Sequence, residues 1–384
     1  MVLSPSSQPP IPYYWRLSSF YLVYFALLGT LVPYWSLYLK DAGFAAAQIG
    51  LLMAIPQITK LGAPNLWGWL ADRTGQRLRI IRTGNLLAAV IFTGVFVADG
   101  FWSMVVVLAG FSFFWNAVLA QFEVITLDTL GDRSHRYSQV RLWGSVGFIA
   151  AVLAVGVLLD MLSVAILPWL LWGALWLIWL CTLLLPAGSA SVRTAPSGKL
   201  IEVLRQPGVL AFFACAFLMQ LSHGPYYTFY TIHLVDMGIS RTMAGVLWAL
   251  GVVAEVGLFL VMHRVLVRVP VRIIVTASLA LAAVRWWLIA QVGDSLLWLA
   301  LAQLLHAATF GSFHAAAMAW LHRTFSGGHA GQGQALYSSL GFGAGWAVGA
   351  GLSGVVWSAL GADSFLVAAM VAALAAGLAA WRLR

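Results

Sequence analysis

Long apolar runs dominate this chain, and each is close to the length of one bilayer crossing. A spanning helix needs about 20 mostly apolar residues. Twelve stretches meet that need: 14–39, 47–70, 80–98, 101–127, 139–159, 163–185, 208–234, 241–263, 271–291, 295–320, 331–358 and 363–381. Charge is correspondingly scarce. Of 384 residues 62% are hydrophobic and 9% charged, where a soluble domain carries about 25% charged. So few polar side chains cannot coat a water-exposed surface. A soluble enzyme, a disordered chain and a coiled coil are excluded. Backbone groups in hydrocarbon must bond within their own segment, and no alternating barrel strands are evident. The expected fold is an all-α polytopic membrane protein with 12 transmembrane helices.

Basic residues set the expected orientation. With the N-terminus cytoplasmic, 17 of the 21 Lys and Arg side chains fall in tails and loops on that side. Only Lys40 and Arg241 fall on the opposite face, and Lys60 and Arg285 lie inside spans. This asymmetry predicts a bacterial inner-membrane protein with both termini cytoplasmic. It also explains the net charge of +9 without invoking nucleic acid, since no basic cluster is interleaved with aromatics. Cys181 and Cys215 sit in apolar runs and read as small core residues, with no disulfide or metal site implied. Residues 1–13 read as a disordered Ser/Pro-rich tail, without the pattern of a cleavable leader.

The polar stretch 187–207 reads as a cytoplasmic linker between two six-helix bundles, 14–186 and 208–384. The halves are related. At a shift of 195 residues, 29–62 aligns without gaps on 224–257 with eight identities. Gly29 meets Gly224, Asp41 meets Asp236, Gly43 meets Gly238 and Gly50 meets Gly245. Ser145, Gly147 and Phe148 echo in Ser339, Gly341 and Phe342 at a shift of 194. Parallel repeats of six helices suit a two-bundle transporter with its site between the bundles. The eleventh span carries Gly341, Gly343, Gly345, Gly349, Gly351 and Gly354. These glycines suit close helix contacts, either static or rocking.

Between spans two and three stands Gly68-Trp69-Leu70-Ala71-Asp72-Arg73-Thr74-Gly75-Gln76-Arg77. It resembles the loop motif of the major facilitator superfamily, departing only at Gln76. Gly75 permits a tight turn, and Asp72, Arg73 and Arg77 can form a charged latch that breaks between conformations. The corresponding loop of the second half, 263–272, keeps basic charge but lacks the motif. Arg141-Leu142-Trp143-Gly144-Ser145-Val146-Gly147 resembles the fifth-span signature of the 3-phenylpropionic acid transporter family. His223 with Tyr226-Tyr227, Val253-Ala254-Glu255, Val284-Arg285-Trp286 and His306 with His314 are similar to that family too. The family is related to the oligosaccharide and nucleoside proton symporters. Glu123 matches the acid that group carries on span four, although the phenylpropionate relatives more often have Asp.

Ionisable groups inside the membrane need a reason, because each costs about 2.5–3.5 kcal/mol or more at a helix centre. Glu123 and Arg141 lie on neighbouring spans and are expected to meet, with Asp128 as a competing partner. The resemblance implies a substrate or gating pair, and a structural ion pair is the alternative. Glu255, mid-span, suits reversible protonation. The resemblance implies that Glu255, Arg285 and His306, with His314, handle a coupling proton. A satisfied polar network is the alternative. Lys60 falls on Glu255 at the 195 shift, so a switchable contact across the cavity is one expectation. Pairing of Lys60 within its own half is the other. Lys60, Glu123, Arg141, His223, Tyr226, Tyr227 and Trp115 are the expected substrate-binding residues; the aromatic ones could equally be packing.

The function expected is proton-coupled uptake of a small organic solute, foremost an aromatic carboxylate such as 3-phenylpropionate. An efflux antiporter of the same fold and a sugar or nucleoside symporter are the alternatives. No metal-ligand spacing, nucleophile elbow or phosphate loop suggests an enzyme. No cofactor is expected. The expected partners are the solute, protons and the lipid bilayer, with the chain acting as a monomer.

Overall fold

The computed structural model describes residues 11–185, 206–291, 295–325 and 330–383. The tail expected over 1–13 and the linker expected over 187–207 lie almost wholly outside the described residues. Among the described residues every regular element is helical. Nine helical runs there are long and apolar enough to cross a membrane, and four of them, Phe101–Met161, Gly208–Asp236, Leu296–Thr324 and Gln332–Arg382, hold more than one α-helix.

The first half contains α1 (Tyr14–Asp41), α2 (Ala46–Thr74), α3 (Arg77–Phe92), α4 (Phe101–Trp115), α5 (Val118–Leu130), α6 (Tyr137–Met161) and α7 (Leu167–Leu183). The second contains α8 (Pro207–Ser222), α9 (Gly224–Asp236), α10 (Arg241–Arg268) and α11 (Val271–Gln291). It continues with α12 (Leu296–His306), α13 (Ser312–Thr324), α14 (Ala330–Tyr337), α15 (Trp346–Leu360) and α16 (Ser364–Arg382). Five-residue and eight-residue π-helical turns, Ala307–Gly311 and Ser338–Gly345, join α12 to α13 and α14 to α15.

The sequence repeat has a physical counterpart. Helices α1 and α9 end alike, each on a left-handed glycine: Gly43 at φ 86° and Gly238 at φ 82°. Phe44 N–H donates to Leu39 carbonyl at 3.1 Å, and Ile239 N–H donates to Leu234 carbonyl at 3.0 Å. These are the six-to-one bonds of a glycine-terminated helix. Repeat mates also make matching contacts. A methyl group added at Gly29 would strike the Phe148 backbone of α6, and one at Gly224 would strike Gly349 of α15. Gly50 and Gly245 both lie at the junction of the two halves, Gly50 against Gly354 and Gly245 against Val152. Small residues thus let α2 pack on α15 and α10 pack on α6.

Polar contacts reinforce that junction on the face opposite the basic loops. Lys40 Nζ, in the last turn of α1, lies 2.5 Å from Asp236 Oδ1, at the end of α9. Asp160, at the end of α6, accepts from Arg241 N–H at 2.9 Å and Thr242 N–H at 2.8 Å. Arg241 Nη1 returns a bond to the Leu159 carbonyl at 3.0 Å. A carboxylate sits on one helix N-terminus and a guanidinium on the other helix's C-terminal end, both favoured by the helix dipoles. Tyr34 OH, from α1, donates to Val152 carbonyl at 2.7 Å in the same seam.

Candidate transport site

Pro56 shapes one wall. It has no N–H, so it interrupts the α2 ladder one turn before Lys60. Its carbonyl accepts from Asn116 Nδ2 at 2.7 Å, and Asn116 also donates to Thr59 Oγ1 at 3.0 Å. Asn116 itself occupies the break between α4 and α5. Lys60 then projects toward the second half, its ammonium 5.8 Å from the centre of the Phe342 ring.

Glu123 accepts from Tyr137 OH at 3.3 Å. Arg141, one turn along α6, lies flat over Phe25 at 3.9 Å and near Tyr21 at 5.5 Å. Glu123 and Arg141 therefore stand as electrostatic neighbours, but no ion pair within 4.0 Å joins them. Asp128 is solvent-exposed. The carboxylate whose charge bears on Lys60 is Glu123, in its own half. The Lys60–Glu255 contact is not formed, because α2 packs on α15 while α10 packs on α6. Trp115 stacks on Tyr24, centroids 5.1 Å apart.

The expected second-half set is drawn together around Arg285. That side chain is fully buried. Its Nε donates to the Ala302 carbonyl at 2.9 Å, and its Nη2 donates to Gln303 Oε1 at 3.3 Å. Gln303 Oε1 also accepts from Tyr226 OH at 2.9 Å. The guanidinium lies over the rings of Tyr226 and Trp286, at 4.3 and 4.5 Å. Its Nη1 is 3.0 Å from His306 Nδ1. A guanidinium can only donate, so Nδ1 accepts and the ring proton sits on Nε2. Nε2 faces Glu255 Oε2 at 3.6 Å. A second ring proton would have to enter against Arg285. Within this set Glu255 is the group that Arg285 does not bond directly; it stands 3.6 Å from His306 Nε2.

His223 sits where α8 gives way to α9. His223 N–H donates to the Gln220 carbonyl at 3.2 Å rather than to that of Met219, which leaves the Met219 carbonyl out of the backbone ladder. His223 Nδ1 lies 2.8 Å from the Met219 carbonyl oxygen, which can only accept, so Nδ1 carries the proton. Its Nε2 is buried without a partner among the described residues. The ring stacks toward Tyr227 and meets the edge of Trp286. Tyr227 packs on Trp346 at 4.3 Å.

Two aromatic residues of this wall, Phe310 and Phe342, escaped sequence reasoning. Both lie on the π-helical turns. Phe310 stacks between His306 and His314, with centroids 5.2 and 6.5 Å away and interplanar angles of 13° and 9°. His314 thus shares a face with His306, and its Nδ1 is 3.3 Å from Tyr337 OH. Phe342 stands at 80° to Phe310, centroids 5.9 Å apart. An extra residue in a helical turn re-aims the side chains beyond it, and such turns favour functional sites. The local signal was the run of glycines around Phe342.

The loop motif folds as an internal cluster. Gly75 closes α2 at φ 66°. Arg77 reaches Asp72 at 2.5 Å and also donates to Gln121 of α5. Gly68 lies against Gln121, so bulk there would press on the same amide. Arg73 lies over Trp69 at 5.3 Å.

Comparison with known proteins places this arrangement. The model of the MFS_1 like family matches residues 14–367. The chain is 31% identical, over 361 residues, to a probable 3-phenylpropionic acid transporter of Escherichia coli (strain K12), covering 92% of this chain and 93% of that protein. Over 149 residues, 38% of each chain, it is 33% identical to a maltose permease of Geobacillus stearothermophilus. A mutant of nucleoside transporter NupG superposes with TM-score 0.85 at 17% identity, covering 96% of this chain and 98% of the other. That last likeness speaks to fold alone. The chain is a multi-pass membrane transporter of the major facilitator type and belongs to the MFS_1 like family.

Proposed function

We propose that this transporter is a proton-coupled symporter that takes up an aromatic carboxylate such as 3-phenylpropionate by alternating access. The chain Glu255–His306–Arg285 carries this reading. It holds a carboxylate in the membrane interior beside an imidazole of fixed tautomer and a guanidinium with one acceptor at each nitrogen. Such a carboxylate is retained at a cost and suits a group that gains and loses a proton within each cycle. The likeness to a probable 3-phenylpropionic acid transporter supports the solute class.

On this proposal twelve crossings form two six-helix bundles, 14–186 and 208–384, with both termini cytoplasmic in the inner membrane. The protein works as a monomer without a cofactor. The seam at Lys40–Asp236 and Asp160–Arg241 closes the outward face, and its breakage would open that face while the cluster at Asp72 and Arg77 rearranges. Glu123, Arg141 and His223 line the solute's path.

The test is proton movement in de-energised right-side-out vesicles when 3-phenylpropionate is added outside. The expected result is external alkalinisation, lost in Glu255→Gln. A response only to a cationic drug would replace symport by efflux. A response only to a disaccharide or a nucleoside would replace the solute class.

A further inference from the structure

Three basic side chains of the candidate site are held very differently. Arg285 has acceptors for all three of its nitrogens and is fully buried. Arg141 rests on the Phe25 ring. Lys60 is only half-buried, and its ammonium has no hydrogen bond or ion pair among the described residues. An ammonium inside a span with no bonded partner, and only the more distant charge of Glu123 to offset it, is costly unless something arrives to meet it. Charge balance points the same way. Within the candidate site Lys60, Arg141 and Arg285 outnumber the carboxylates Glu123 and Glu255 by one.

What surrounds Lys60 is aromatic. The Phe342 ring lies 5.8 Å from its ammonium. Phe310 and His314 lie beyond that ring, at 5.9 and 5.8 Å from it. Phe342 stands nearly upright to both, at 80° and 79°, and all three rings are only partly buried. Two rings at a right angle form a corner. A third ring entering it can lie offset over one and edge-on to the other, the two favoured aromatic arrangements.

We propose that Lys60 and the Phe310–His314–Phe342 corner form the seat for an aromatic monoanion. The ammonium takes the carboxylate and the corner takes the ring. This rests on the transport reading above and assigns its solute to particular side chains. Lys60 comes from the first half and the corner from the second, so one short arylalkanoate touches both halves at once. A carboxylate within hydrogen-bonding reach of Nζ stands close enough to Phe342 that a short alkyl tether brings its ring into the corner.

The experiment is equilibrium binding to the purified full-length protein in detergent, without any gradient. The probes are 3-phenylpropionate, its alcohol 3-phenylpropan-1-ol, and 3-cyclohexylpropionate. The wild-type protein should bind the phenyl acid about tenfold or more tighter than the alcohol, a preference worth about 1.4 kcal/mol. Lys60→Gln should remove that preference while leaving alcohol binding intact, which also shows that the variant is folded. Lys60→Arg should restore most of it. Phe342→Leu and Phe310→Leu should cut the preference for phenyl over cyclohexyl. Retention of the acid preference in Lys60→Gln, or no binding of the phenyl acid to folded wild-type protein, would overturn the seat. Normal binding with no proton movement in vesicles would leave the seat standing and remove symport.

Discussion

At the scale of single residues, acceptor supply sorts the charged groups into structural and working ones. Gln303 Oε1 accepts from both Tyr226 and Arg285. Gln303→Ala would strand two buried donors, at about 1–3 kcal/mol each and more for the charged one. A clear fall in melting temperature in detergent is expected. An unchanged value would show that Arg285 finds other acceptors. Glu255 behaves differently, because the potential ion-pair partner within 4.0 Å among the described residues is an imidazole at 3.6 Å that Arg285 disfavours charging. Glu255→Gln should abolish uphill accumulation in energised vesicles while counterflow exchange continues. Loss of both would make Glu255 part of the binding site. The sequence made these ionisable residues conspicuous, since membrane spans seldom carry them. It did not reveal their partners. Lys60 and Glu255 are repeat mates, and repeat mates occupy corresponding places in two halves, which need not face each other. Phe310 and Phe342 were invisible for another reason. Among 21 phenylalanines, the π-helical turns single them out; the glycines around Phe342 hinted at one turn, and no residue pattern marked the other.

At the scale of elements, glycine decides how closely helices approach. Gly147 faces Leu22 of α1 so tightly that an added methyl group would collide with its backbone. Backbone cannot rotate aside as a side chain can. Gly147→Ala should therefore separate α1 from α6 and destabilise the protein by about 1–3 kcal/mol, as overpacking does. Gly173, on the exposed face of α7, has nothing within 4 Å of the same added atom. Gly173→Ala should be neutral or stabilise by up to about 1 kcal/mol through reduced chain entropy. Thermal unfolding of the two variants side by side checks the contrast, and equal losses would refute the packing argument. Here the sequence was informative. Gly43 and Gly238 marked the ends of α1 and α9 because only a residue without Cβ enters the left-handed region cheaply. The internal breaks at Asn116 and His223 were less legible. A proline shows where a ladder fails, but which side chain then bonds a nearby carbonyl is a tertiary fact.

At the scale of the whole molecule, the two halves meet through small residues and a few polar bonds on one face, and on the alternating-access proposal this sets how hard that face is to open. Asp160 bonds two amide N–H groups at the start of α10, and Lys40 pairs with Asp236 in solvent. The exposed pair is worth at most about 1 kcal/mol. The Asp160 bonds are charge-assisted and reinforced by the α10 dipole, so they contribute more. Removing both contacts would weaken only the state in which the halves touch there. A loss of about 1.4 kcal/mol moves a two-state population tenfold. Leu31 is 6% exposed and lines a small cavity behind the seam, with Trp35, Met53 and Trp346. In a Leu31→Cys background, labelling by a membrane-impermeant maleimide from the outward face should be slow. It should quicken several-fold with Asp160→Ala and further with Lys40→Ala. The native thiols give little background, since Cys181 and Cys215 are buried. Asp160→Asn separates charge from shape. Its amide oxygen can still accept one N–H, so its labelling rate should fall between wild type and Asp160→Ala. If all three proteins label alike, the glycine contacts hold the seam and the polar bonds contribute nothing to the balance between states.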